Sequence, residues 1–225
     1  MSKPNATTAP LRAPAPEADV SALDLAALLC SRVCHDVISP VGAIGNGIEV
    51  LEDKGAADMR EMALELIVKS ARQASHRLQF TRLAFGAAGS AGAQLDLGDA
   101  EQVVRGMIED DRIRVDWRLP RELLPKNRVK MLLNLMLLAA STIPRGGKIL
   151  VEAEAGLTGF VLASTGTQPR IPDGVEALLA GRIPAGGLDA HSVQPYYAGL
   201  LARDCAVGLS FLKDGDTVTL FARPA

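Results

Sequence analysis

Two long helical patterns separated by one short break constrain this chain more than any other feature. Ser21 is placed to cap a helix, with Asp24 at the third helical position in a capping-box-like arrangement. The apolar pattern then runs to about Glu52, and Gly55 supplies the break. A second helix is expected over 58–85, ended by Gly86 and the Gly/Ala/Ser stretch 87–92. So short a link makes the pair an antiparallel hairpin. Its second member carries Leu64, Ile67, Ala71, Ala74, Leu78, Thr81 and Phe85 at 3-4-3-4 spacing, which is that of a coiled coil. Two helices alone cannot cover such faces. Pairs of this kind dimerise into a four-helix bundle; the competing solution packs the hairpin on the rest of its own chain.

After the link the period changes. Ile113, Val115, Trp117 and Leu119 alternate as in a strand, and 126–142 is a strongly apolar helix. Strands are expected over 148–154 and 160–164 with a turn at Gly156 to Gly159. Helical segments follow near 175–180 and 192–204, then a hairpin of 207–212 and 217–223 around Asp214-Gly215. The fold class is therefore α+β: an N-terminal helical hairpin forming a dimeric four-helix bundle, then an α/β sandwich with helices on one face of a mixed sheet. The expected division is a disordered arm over 1–20, rich in proline at Pro4, Pro10, Pro14 and Pro16, the hairpin over 21–88 and the sandwich over 93–225.

Charge excludes some functions. Among 225 residues, 24 Lys and Arg nearly balance 26 Asp and Glu, for a formal charge of -2. This argues against nucleic-acid binding, which usually shows a basic surplus. No apolar run is expected to be long enough to span a bilayer, and the N-terminus lacks the apolar core of a secretory signal. Cys30, Cys34 and Cys205 cannot all pair with one another, so a reduced, cytoplasmic protein is the simplest reading.

The densest chemical signal is Cys34-His35-Asp36-Val37-Ile38-Ser39-Pro40. At about 100° per residue, Leu29, Val33, Val37, Pro40, Ile44, Ile48 and Leu51 cluster within roughly a third of the circle. His35 falls roughly 190° from the middle of that cluster. It shares its face with Leu28, Ser31, Ser39, Gly42, Asn46 and Glu49, mostly small or polar residues that leave room for another protein. His76 also lies opposite its helix's stripe, but it has only Arg72 and Arg77 for context. Asp36 follows His35 directly and is placed to orient its ring. Pro40 removes one backbone bond inside the helix and should bend it. Phosphoryl transfer is mostly positioning plus charge stabilisation, and an imidazole is a competent nucleophile near neutral pH. A phosphoryl-accepting histidine needs little more than this setting.

The HDVISP segment on a long helix resembles the phosphoacceptor box of two-component sensor kinases, with Ile38 in place of the usual Arg. Val129 to Val151 resembles the N-box region of their Bergerat-type ATP-binding domain. Asn134, Leu135, Ala139, Pro144, Gly146, Gly147 and Ile149 keep the scaffold positions. Leu138, however, stands where the Mg²⁺-holding Asn would be, and Ser141 where the Lys would be. Ser164 and Gln168 replace the Asp and second Gly of the adenine box, and 189–197 carries no Gly-rich lid box. Hydrogen bonds to charged groups contribute about 1.5–3 kcal/mol each. Three lost contacts amount to about 5–9 kcal/mol, against about 4–8 kcal/mol for an entire micromolar-to-millimolar affinity. ATP binding is expected to be abolished or negligible.

An intact His box, the segment Leu78-Gln79-Phe80-Thr81-Arg82-Leu83-Ala84-Phe85-Gly86 and an emptied nucleotide site together resemble the ChpT family of alphaproteobacterial histidine phosphotransferases, over roughly residues 25–221. The resemblance implies a homodimer with a degenerate Bergerat-like domain on each side of the bundle. It implies phosphate received from the receiver domain of a hybrid kinase resembling CckA, passed to response regulators resembling CtrA and CpdR in cell-cycle control. No cofactor of its own is expected, since the partner receiver domain supplies Mg²⁺. Under this reading His35 is the phosphoacceptor and Asp36 orients it, while Arg32, Ser39, Arg82 and Arg170 are candidates for partner contact. For Arg32, steering a receiver's acidic pocket and a plain solvated charge stay open together. Two other functions compete: an active histidine kinase with a divergent ATP site, and a non-catalytic dimerisation scaffold. A metal site on Cys30, Cys34 and His35 lacks a fourth ligand, and both cysteines are expected to be small buried hydrophobes.

Overall fold

The computed structural model describes residues 20–86 and 93–225; the 87–92 link and the expected arm, save Val20, lie outside them. Helix α1 (Ala22–Glu52) starts at its expected cap. The Ser21 hydroxyl accepts the Asp24 N–H at 3.1 Å and donates to the Asp24 carboxylate at 2.7 Å, which satisfies one of the orphan donors of the first turn. The helix stops at Asp53, whose carboxylate accepts the Gly55 N–H at 2.8 Å. After one 3-10 turn (Ala57–Met59), helix α2 (Arg60–Ala84) runs back along α1.

The packing face of α1 is not the one its periodicity predicts. Its buried residues are Asp36, Pro40 and Gly47, a face roughly 50° around the helix from the middle of the Leu29-to-Leu51 cluster. Gly47 allows this close approach, since a Cβ there would stand 2.6 Å from Ile67 Cγ1 and 3.2 Å from the Ala63 carbonyl oxygen. The rotation corrects the expectation for the cysteines. Cys30 and Cys34 are exposed, because they lie on the side turned away from α2. Much of the apolar stripe also remains open: Val41, Ile48, Leu64 and Leu78 are between 44% and 51% exposed in the single chain. The hairpin meets its own sandwich chiefly at its base, where Phe80 and Ala84 are fully buried in the common core.

By length and composition α1 is also apolar enough to cross a bilayer, with mean hydropathy 1.3 over its best window. That overturns the expectation that no segment would be. In place the helix carries the Arg32–Asp36 ion pair on the face that packs against the rest of the chain.

In the sandwich, β1 (Gln94–Asp96) pairs antiparallel with β3 (Leu123–Pro125). The helix α3 (Leu97–Ile108) was not anticipated. Its signal was local: Asp96 caps it, accepting the Gly98 N–H at 2.6 Å, and Leu97, Ala100, Val104 and Ile108 are its buried stripe. The remaining elements lie within two residues of expectation: β2 (Ile113–Trp117), α4 (Lys126–Ser141), β4 (Gly147–Ala153), β5 (Phe160–Gly166), α5 (Val175–Leu179), α6 (Val193–Asp204), β6 (Val207–Asp214) and β7 (Thr217–Pro224). The five-stranded sheet has the order β2-β4-β5-β7-β6, with β2 parallel to β4 and the other pairs antiparallel. Val115, Ile149, Ser164 and Val218 lie in register and all are buried, so one face of this sheet forms the core with α4. The α+β class with a helical hairpin and a mixed-sheet sandwich is the architecture the periodicities predict.

Candidate functional site

His35 lies mid-helix on α1 with its side chain 53% exposed. Its Nδ1 stands 3.8 Å from Asp36 Oδ1, beyond hydrogen-bond reach. Asp36 is instead held at 2.9 Å by Arg32 Nε, in an ion pair whose side chains are 17% and 11% exposed. Arg32 is thus neither a free steering charge nor a plain solvated one. It fixes Asp36 beside the imidazole.

Pro40 explains a second contact. With no N–H, it cannot donate to the carbonyl four residues earlier, which is that of Asp36. A buried carbonyl without a partner is costly. Arg77 of α2 supplies the missing donor, its Nη1 donating to the Asp36 carbonyl oxygen. The helix runs continuously through Pro40, and the turn that carries His35 is clamped across the hairpin.

The face around His35 is less open than expected. His191, in the loop before α6, meets its ring edge-on, with centroids 4.7 Å apart and planes at 77°. This loop is tightly tied. Asp189 Oδ1 accepts the N–H groups of His191 and Ser192 at 2.9 and 2.7 Å and the Ser192 hydroxyl at 2.6 Å, while the Asp189 N–H donates to Ser192 Oγ at 2.8 Å. The Ser192 hydroxyl, then its backbone N–H, hold the Asp189 carboxyl down at about 2. Arg32 Nη1 also reaches the Ala190 carbonyl at 3.5 Å, so one guanidinium touches both α1 and the loop.

Beside this loop lies a cleft of about 480 Å³, lined by Leu138, Ser141, Pro172, Val175, Asp189 and Gln194 among others. It occupies the place where the resemblance sets a nucleotide. Two hydroxyls at or below its floor donate to backbone carbonyls. Ser164 Oγ donates to the Ala139 carbonyl at 3.0 Å, and Ser141 Oγ to the Leu138 carbonyl at 2.6 Å. Leu138 is 3% exposed and has no metal-binding atom. Asn134, which keeps its scaffold position, is spent on structure. Its Nδ2 donates to the Ala84 and Lys130 carbonyls, and Gln194 Nε2 donates to its Oδ1 and backbone oxygen.

The other candidates are scattered. Ser39 is exposed one turn from His35. Arg82 is exposed in the last turn of α2. Arg170 is exposed in the loop after β5, where its N–H donates to the Thr142 carbonyl at 2.9 Å. Among the described residues neither Arg82 nor Arg170 has an ion-pair partner. His191 has no place in the sequence reading, where Arg77 is only context for His76; Arg77 had one signal, the carbonyl that Pro40 leaves orphaned, and His191 had none.

A helical hairpin bearing an exposed histidine, set on a mixed-sheet sandwich, has the build of a histidine phosphotransferase. The histidine phosphotransferase C-terminal domain family matches residues 97–217. Protein phosphotransferase ChpT of Brucella abortus (strain 2308) is 49% identical over 205 residues, covering 90% of this chain and 97% of that one. A solved structure of a bacterial phosphotransferase superposes with a TM-score of 0.84 at 45% identity, covering 92% of this chain and 99% of its own. The chain belongs to the ChpT family of histidine phosphotransferases.

Proposed function

We propose that His35 is the phosphoacceptor of a phosphorelay intermediate that takes phosphate from one receiver domain and passes it to another without using ATP. The observation that carries this reading is the pairing of an exposed imidazole on a clamped helical turn with a neighbouring cleft in which Leu138 and Ser141 stand where the kinase pattern has an Asn and a Lys. In the transfer, an imidazole nitrogen attacks the phosphorus of the aspartyl phosphate. The P–N bond forms as the P–O bond to the carboxylate breaks, and the ring proton leaves to solvent. The receiver brings its own Mg²⁺ and Lys to stabilise the transferring charge. The donor is the receiver domain of a hybrid histidine kinase resembling CckA, and the acceptors are response regulators resembling CtrA and CpdR. Ser39, Arg82 and Arg170, exposed on α1, α2 and the β5 loop, are the partner contacts. The open stripe of Val41, Ile48, Leu64 and Leu78 supports a homodimer, in which a second hairpin covers it as a four-helix bundle.

Purified protein is expected to gain acid-labile phosphate from a phosphorylated receiver and none from Mg-ATP, with no heat of Mg-ATP binding in calorimetry. Uptake from Mg-ATP alone would make it a kinase; receiver binding without transfer would make it a scaffold. Asp36→Asn weakens the Arg32 pair beside the ring and is expected to slow transfer on the order of tenfold with the fold intact. An unchanged time course would remove Asp36 from the mechanism.

A further inference from the structure

His35 is a partly exposed side chain on a helix, and such a ring is free to change rotamer. Asp36 does not hold it, standing 3.8 Å from Nδ1. From outside its own helix the ring is met by His191, edge-on at 4.7 Å. We propose that His191 is a positioning residue for phosphotransfer, holding the His35 imidazole in the orientation it presents to a receiver; this rests on His35 being the phosphoacceptor.

The loop is built to transmit a fixed position. Three bonds to Asp189 Oδ1 and one from the Asp189 N–H close a tight turn around His191. Val193, which follows Ser192, is fully buried at the start of α6. Arg32 joins this loop to the acceptor helix, bonding Asp36 with Nε and the Ala190 carbonyl with Nη1. The edge-to-face geometry at this separation is the favoured one for aromatic pairs. A small misplacement of a reacting group lowers a rate steeply. The sandwich thus keeps a part in catalysis after losing its nucleotide: it braces the acceptor of the hairpin.

The test measures phosphotransfer from a receiver domain charged with acetyl phosphate, across receiver concentrations, for wild type, His191→Ala, His191→Phe and His35→Ala. For His191→Ala the rate at saturating receiver is expected to fall about three- to tenfold. Its half-saturating concentration should stay within about twofold, and imidazole ¹H–¹⁵N spectra should show the His35 resonances shifted. His191→Phe keeps a ring edge and is expected to restore the rate to within about twofold of wild type. A wild-type saturating rate in His191→Ala overturns the brace. So does a defect confined to half-saturation, or a His191→Phe as slow as the alanine variant. Phosphate uptake by His35→Ala would instead refute His35 as the acceptor, independently of His191.

Discussion

His35→Ala is expected to take up no phosphate from a phosphorylated receiver, while it folds as the wild type does. The expectation is all-or-none because the substitution removes the proposed nucleophile itself. Asp36 is an acceptor only, bound by Arg32. His191 shows its ring to His35, but its backbone belongs to the sandwich loop rather than to the box on α1. Stability should barely move. The side chain is 53% exposed, and surface substitutions usually stay within about 0.5 kcal/mol. For a chain of this size that is about 1–2 °C in Tm. A phosphate-affinity gel over a time course, with a melting curve of the same preparation, checks both halves. Phosphorylation of the variant at the wild-type level would sink the reading.

The largest expected effect on stability lies elsewhere, at Asn134→Ala. Asn134 is fully buried where three elements converge. Its amide donates to the Ala84 carbonyl at 3.2 Å, at the last turn of α2, and to the Lys130 carbonyl at 2.9 Å within α4. Its own Oδ1 accepts from Gln194 Nε2 of α6 at 3.1 Å. Alanine leaves the Ala84 carbonyl without a donor at a helix end already short of them. The Gln194 amide keeps its 2.9 Å bond to the Asn134 backbone oxygen, so it is only partly orphaned. A buried group left unsatisfied costs about 1–3 kcal/mol, and the two together, with the small cavity, come to about 3 kcal/mol. At about 2–4 °C per kcal/mol, Tm is expected to fall by about 6–12 °C. A fall under 2 °C would show that this joint does not tie the hairpin to the sandwich. In an active kinase domain an Asn at this scaffold position sits beside nucleotide chemistry. Here its side chain is bonded into the joint between α2, α4 and α6.

Most elements were legible because their causes are local. Ser21 and Asp24 meet within one turn, and Gly215 turns the last hairpin with φ of 50°. Helix α3 has causes just as local, its Asp96 cap and its buried stripe lying close after the glycine-rich link. The failure on α1 had a different origin. Periodicity identified an apolar stripe but not which flank of it faces α2, since that choice depends on where the two backbones come closest. Gly47 makes that approach possible. The polar pair Arg32 and Asp36, which a hydrophobicity pattern places outside, went in.

The chain alone determined the helical hairpin, the exposure of His35 and the loss of nucleotide-binding groups at Leu138 and Ser164. Each is a matter of residue type at short spacing or at a motif position, and each survives without knowledge of neighbours. Only the tertiary structure decided what surrounds the imidazole. Arg32 and Ala190 are 158 positions apart, and Arg77 reaches the Asp36 carbonyl from 41 positions away. Contacts of that range come from the angle and depth at which a hairpin seats on a sandwich. That seating is settled by the shared core at Phe80 and Ala84 and the Asn134 joint, which no periodicity encodes.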